Sequence, residues 1–222
     1  LHYVFVADRE ERRQKLINGE GGVLSLSKEG PPVVASLSQI RLYHANGGVT
    51  YLGFNFQQPI WQDLQARQAI AMALDKKALA DLGPFTVADT PLSPTAIGYD
   101  PVVANFAYLY NPTQSRLLLQ QANFDTAASL TLLIPESSTY RTLAKEVQRQ
   151  LGDIGLNSIK IREVPIAKLL TERQEFDLLL FDYAWMDYSA LSLFLGPGPR
   201  NLLAYPHNDI AALALQARAT LD

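Results

Sequence analysis

The sequence predicts an α/β fold: a mixed, mostly parallel sheet with helices on both faces. Three observations carry this. From residue 129 to 185, strand-like runs alternate with amphipathic helical stretches through short connections. That rhythm implies parallel strands joined by right-handed crossovers. Within it, "FDLLLFDYAW" (176–185) is apolar on both faces, as a central strand is. Upstream, "YLGFNFQQPIWQDLQARQAIAMALDKKAL" (51–79) joins an aromatic strand through a tight turn to a helix that is apolar on nearly every side. Such a helix belongs under a sheet or between layers.

The elements follow in order. Residues 2–7 are aromatic and β-branched and read as a strand; Asp8 then caps the short helix "REERRQKLIN", which stops at Gly19. "GEGG" and "KEGPP" punctuate a short apolar run at 23–26, and 33–43 hold one irregular strand. Residues 51–56 are a firm strand. Asp63 suits an N-cap, since its carboxylate can accept a free backbone N–H. Ala66, Ala69, Ile70, Ala73 and Leu74 then form one stripe at helical spacing, with Ala71 and Met72 widening it. The stretch 84–112 is rich in Pro, Gly, Asp and Tyr and reads as a long ordered loop, a kind that is more often functional than idle. "NPTQSRLLLQQANF" is a helix with Asn111 as cap and Pro112 at its first position. "SLTLLIP" (129–135) is a strand. The helix over 139–155 carries Leu143, Val147, Leu151 and Ile154 on one side and ends at Gly155. A strand at 156–164, a short helix at 165–174 and the central strand at 176–185 complete the series.

The 222 residues are 48% hydrophobic and 18% charged, enough for one large domain or two small ones. Net charge is −3 and no basic run exceeds two residues, so nothing suggests a nucleic-acid partner. Uninterrupted apolar stretches reach about six residues, against the roughly 20 that span a bilayer. There is no cysteine, which excludes disulfides, a thiolate nucleophile and Cys-ligated zinc within these residues. The chain opens already strand-like and closes inside the helical pattern "LALQARATLD". Both ends therefore read as cuts in a longer protein.

Little of the sequence has the makings of catalysis. His2, His44 and His207 share no metal-ligand spacing, so neither metal nor cofactor is expected. No nucleotide-binding loop or nucleophile elbow is present. "LGPGPR" (195–200) has prolines where a phosphate cradle needs N–H groups. No acid–base pair is defensible, so no catalytic residue is assigned and an enzyme is not expected. One stretch stands out, "DYAWMDYSALSLFL" (182–195), where the central strand runs into Asp182, Tyr183, Trp185, Asp187 and Tyr188. In an open α/β sheet, ligands bind beyond the carboxyl ends of the strands. Aromatic walls beside one carboxylate suit an organic ligand, a cationic one included. The other reading is that Trp185 and Tyr188 close the core and Asp187 caps the following helix.

The stretch 51–79 resembles the signature of the family 5 extracellular solute-binding proteins, the peptide, dipeptide and nickel receptors of ABC importers. The matching positions are Asn55, Pro59, Asp63, Arg67, Ala69 and Asp75. In chain order, "LINGEGG", "PLSPTAIGYDP", "NPTQSRLLLQQANF", the strand–helix–strand over 129–164 and "YPHNDIAALALQARATLD" resemble further family segments. The resemblance implies a periplasmic-binding-protein type II-like lobe. Residues 1–50 would lead in from a first lobe and hinge, and 51–222 would form the second, C-terminal lobe. It implies a receptor outside the cytoplasmic membrane, periplasmic or extracellular. Any lipid anchor would lie outside these residues. The implied partners are a small organic solute, a peptide or another, and the membrane subunits of an ABC importer, with no cofactor. The ligand-binding residues implied are Tyr183, Trp185, Asp187 and Tyr188. The sequence departs from the peptide-binding pattern here. Counted from "FD" (176–177), Tyr183 takes a family Trp position, Asp187 falls one residue late, and Ser189 and Ala190 replace an acidic–Pro pair. The same fold also serves as the sensor of some transcription regulators, and a DNA-binding segment ahead of Leu1 would mark that alternative.

Overall fold

The structure, a computed structural model, describes residues 6, 8–20, 48–171, 175–183 and 201–206, together with 212, 213, 216 and 219. The chain divides into two compact units, Leu1–His44 and Ala45–Asp222. In the first, α1 (Arg9–Ile17) is opened as expected by Asp8, whose carboxylate accepts the Glu11 N–H at 2.8 Å. Gly19, at φ +76°, takes the left-handed turn that follows. Apart from Val6, the strands expected at 2–7 and 33–43 and the apolar run at 23–26 lie outside the described residues.

Among the described residues, the second unit has four strands: β1 (Val49–Phe54), β2 (Leu130–Pro135), β3 (Ile159–Val164) and β4 (Leu178–Tyr183). Their order across the sheet is β1-β4-β2-β3. β2 runs parallel to both β3 and β4, whereas β1 is antiparallel to β4. β4 is therefore internal, and its first four residues, Leu178–Phe181, are buried. The remaining helices are α2 (Leu64–Ala73), α3 (Lys76–Ala80), α4 (Pro112–Gln121), α5 (Ser138–Asp153) and α6 (Ile166–Thr171).

Alternation along the strands divides the core in two. Leu132, Ile134, Leu178 and Leu180 pack with Ala69 and Ile70 of α2, Leu118 of α4 and Val147 and Leu151 of α5. On the opposite face Leu133, Leu179 and Phe181 pack with Leu169 of α6, Val164 and Phe176, and Leu202 and Leu203 join them.

The sequence explains why α2 sits so deep. Asp63 caps it, its carboxylate accepting the N–H groups of Gln65 at 2.6 Å and Ala66 at 3.2 Å. Ala66, Ala69, Ile70 and Ala73 are each at most 1% exposed. Alanines leave room for close approach: buried Ser115 of α4 donates its hydroxyl to the Ala69 carbonyl at 2.7 Å. The Asn111 N–H satisfies the Met72 carbonyl at 2.7 Å. The helix stops at Ala73 because Asp75 opens α3, accepting the Lys77 and Ala78 N–H groups at 3.0 Å.

β1 is similarly clamped. A Cβ on Gly53 would lie 2.6 Å from Leu203 Cδ2, so the bare glycine lets segment 201–206 lie against the strand. The Phe56 N–H donates to the Leu203 carbonyl at 2.8 Å. Tyr205 meets the Phe56 ring edge-on at 4.9 Å.

Candidate functional site

Parallel pairing places the carboxyl ends of β2, β3 and β4, at Pro135, Val164 and Tyr183, along one edge of the sheet. Antiparallel β1 begins there, with Val49 opposite Tyr183 and Thr50 opposite Asp182. The signature turn lies at the other edge, where Phe54 pairs with Leu178. There Asn55, 5% exposed, donates its side-chain N–H to the Phe176 carbonyl at 2.8 Å and accepts the Gln57 N–H at 3.1 Å. Arg67 donates to the Trp61 carbonyl at 2.6 Å and stands over the Phe56 ring at 5.0 Å. These motif residues hold the second unit together and sit away from the edge where a ligand is expected.

At that edge, two half-buried residues end β4. Tyr183 packs on the cluster formed by Leu133, Val164 and Phe181. Asp182 is held by Tyr140, the third residue of α5. The Tyr140 hydroxyl donates to the Asp182 carboxylate and accepts the Asp182 backbone N–H at 2.8 Å. One phenol thus fixes both the carboxylate and the backbone just before Tyr183. The sequence reading missed Tyr140. The signal for it was position: it lies in the first helical turn after a parallel strand, the location that singled out 182–188.

An ion pair between described residues stands beside this edge. Arg141 donates its Nε–H to both carboxylate oxygens of Glu163, at 2.7 and 2.8 Å. That hydrogen bond, with the carboxylate's charge, raises the Arg141 pKa above its ordinary value. On β1, Tyr51 donates its hydroxyl to the Pro91 carbonyl and faces Phe181 at 6.2 Å between ring centroids. Burial pushes its hydroxyl pKa up to about 12. This bond ties the long 84–112 loop to the sheet, and the loop is ordered as expected: Leu92, Ser93 and Ala96 are buried within it.

Of the four residues expected to touch a ligand, the structure places Tyr183 at the edge; Trp185, Asp187 and Tyr188 lie outside the described residues. So do His2, His44 and His207 and the "LGPGPR" turn. Among the described residues no three His, Cys, Asp or Glu side chains gather as a metal set. No described helix is long and apolar enough to cross a membrane. The edge offers aromatic surface, a held carboxylate and strand-end backbone, which suits binding by contact and hydrogen bonding.

Comparison with known proteins places this arrangement. The family model of bacterial extracellular solute-binding proteins, family 5 middle region, matches residues 1–198. The dipeptide-binding protein of Escherichia coli is 26% identical over 170 residues, which are 71% of this chain and 31% of that protein. Heme-binding protein A of Haemophilus influenzae is 31% identical over 103 residues, 42% of this chain and 18% of its own. The chain thus spans less than a third of either relative. Among solved structures, the ABC transporter substrate-binding protein CtaP from Listeria monocytogenes superposes with a TM-score of 0.81 at 22% identity. That match covers 98% of this chain and 47% of CtaP, and it identifies the fold as that of type II periplasmic binding proteins. With its family model matched over most of its length, this chain belongs to the bacterial extracellular solute-binding proteins of family 5.

Proposed function

We propose that the chain is the second lobe of a two-lobed receptor that delivers a peptide-like or other small organic solute to the membrane subunits of an ABC importer. Residues 1–50 lead in from the first lobe and the hinge, and 51–222 form the second lobe. The receptor works in the periplasm or outside the cell, and a lipid anchor, where one exists, lies outside these residues. It binds without chemistry. A solute touching both lobes favours the closed state by its differential affinity, and the importer reads that state.

One observation carries the reading: in a chain of this family, three parallel strands end on one edge, with Tyr183 and the Tyr140-held Asp182 on the last of them. Tyr183, Trp185 and Tyr188 supply this lobe's wall of the cleft, and Asp187 supplies the counter-charge for a cationic group. The relatives' names cover a dipeptide and a heme, so the family assignment alone leaves the solute class open; the acidic, aromatic run favours an organic solute with a cationic group.

The test begins with the complete gene product. Mass spectrometry of what co-purifies identifies the solute, and calorimetry measures its affinity. Asp187→Asn is expected to weaken a cationic solute by about 1.5–3 kcal/mol, the scale of a hydrogen bond to a charged group. Unchanged affinity would remove Asp187 from the site.

A further inference from the structure

Large apolar side chains are unevenly exposed in this chain. Of thirteen such residues exposed among those described, seven fall within 97–110. Phe106 is 78% exposed, Leu109 79% and Ile97 69%, with Val102 and Tyr110 about half exposed. The stretch is nevertheless built. A 3-10 turn, Pro101–Phe106, is capped by Asp100, whose carboxylate accepts the Val102 N–H at 2.9 Å. Ahead of it, the Ala96 N–H bonds to the Ser93 carbonyl at 3.0 Å; behind it, the Asn111 N–H is anchored on α2. Gln68 of α2 donates to the Tyr108 hydroxyl at 2.9 Å.

The stretch also lacks charge. From residue 90 to 115 the only ionisable acid or base among Asp, Glu, Lys, Arg and His is Asp100, and the turn consumes it. A solvated loop of this length normally carries several charges, whereas an ordered, nearly uncharged surface with aromatic and aliphatic side chains standing out marks a protein contact. Among the described residues, neither buried core cluster of the second unit includes these side chains.

The fold match indicates what covers them. It takes in 98% of this chain yet 47% of the Listeria chain, so a polypeptide of this architecture carries about as much chain again. We propose that 97–110 is the surface on which that remaining polypeptide docks, through an apolar face of its own. This rests on the two-lobed reading above and extends it. The contact lies on the loop between α3 and α4.

Site-directed thiol labelling tests this directly, because these residues contain no cysteine. Leu109→Cys, Phe106→Cys and Leu64→Cys are made one at a time in the complete gene product, with any cysteine elsewhere changed to serine. Leu64, 55% exposed on α2, is the control. The maleimide reaction at 109 and 106 is expected to run at least tenfold more slowly than at 64, and to reach the rate at 64 on unfolding. Equal rates in the folded protein overturn the proposal. So does protection that disappears on dilution, which would make a second copy the occupant, or a gene product that ends with these residues. Solute affinity measured on the same samples separates the two ideas. Free labelling with solute binding intact refutes the docking surface and leaves the receptor reading standing. Protection in a protein that binds no solute does the reverse.

Discussion

Asn55 holds together segments that are 121 residues apart in the chain. Its side chain donates to the Phe176 carbonyl, its carbonyl oxygen accepts from Gln57, and its backbone N–H donates to Asp177 at 3.0 Å. Asp177 in turn accepts the Thr131 N–H at 2.7 Å, so the beginnings of β2 and β4 and the end of β1 meet in one hydrogen-bonded knot. Asn55→Ala leaves a buried carbonyl unsatisfied and is expected to cost about 1–3 kcal/mol. Asn55→Asp is expected to cost at least as much, since a carboxylate cannot donate to Phe176 and its charge is poorly solvated there. Urea denaturation measures both; a midpoint unchanged in either would show that the knot contributes nothing.

Two junctions carry the element scale. Buried Gln150 of α5 accepts the Asp75 N–H at 2.7 Å and donates to Glu146 at 2.7 Å, linking α5 to the cap of α3. Glu146 also accepts from Arg149 at 2.7 and 2.9 Å, and these bonds hold its carboxyl below the ordinary carboxylate pKa. A lowered folded-state pKa contributes stability above the unfolded value, lost as pH falls through the folded one. Glu146→Gln is therefore expected to leave acid unfolding less steep below the normal carboxylate range, with wild type and variant converging at low pH. Parallel curves throughout would sink the linkage. The second junction is Gly53 against Leu203. Gly53→Ala is expected to cost about 1–3 kcal/mol by overpacking, and Gly53→Ala combined with Leu203→Ala to cost less than the sum of the two. Strict additivity would mean the two residues do not touch.

These cases also show what the sequence could disclose. Two-sided apolarity made β4 internal, and Asp63, Asn111 and Gly155 marked helix ends, because burial and capping leave a local residue pattern. The reversed direction of β1 left none, since alternation reads the same both ways. Gln150 falls on the apolar side of α5, three residues after Val147 and four before Ile154, but the bond that satisfies it there comes from Asp75, 75 residues away. Tyr140 was marked by its position after β2, whereas its bond to Asp182, 42 residues away, was not. Asp182 and Tyr183 were legible as the end of a central strand, but their support from α5 depends on pairing that no local pattern encodes.

At the scale of the whole molecule, the proposed mechanism sets an energetic requirement. Moving a receptor from about 1% to about 99% closed takes roughly 5.5 kcal/mol of differential affinity. A charged contact at Asp187 of about 1.5–3 kcal/mol supplies only part of that. The aromatic wall and the other lobe have to supply the rest, so Trp185 should feel the solute directly. The chain's two tryptophans make this testable. Trp61 is 0% exposed, packed between Phe54 at 5.1 Å and Phe124 at 5.7 Å between ring centroids, at the edge opposite the proposed cleft. Its indole N–H has no acceptor among the described residues, so Trp61→Phe removes no hydrogen bond between them. In the complete receptor, Trp61→Phe is expected to keep the change in tryptophan emission that solute produces, and Trp185→Phe to reduce it. A full response in Trp185→Phe would mean that the aromatic run after β4 does not meet the ligand, and that the differential affinity has to arise elsewhere.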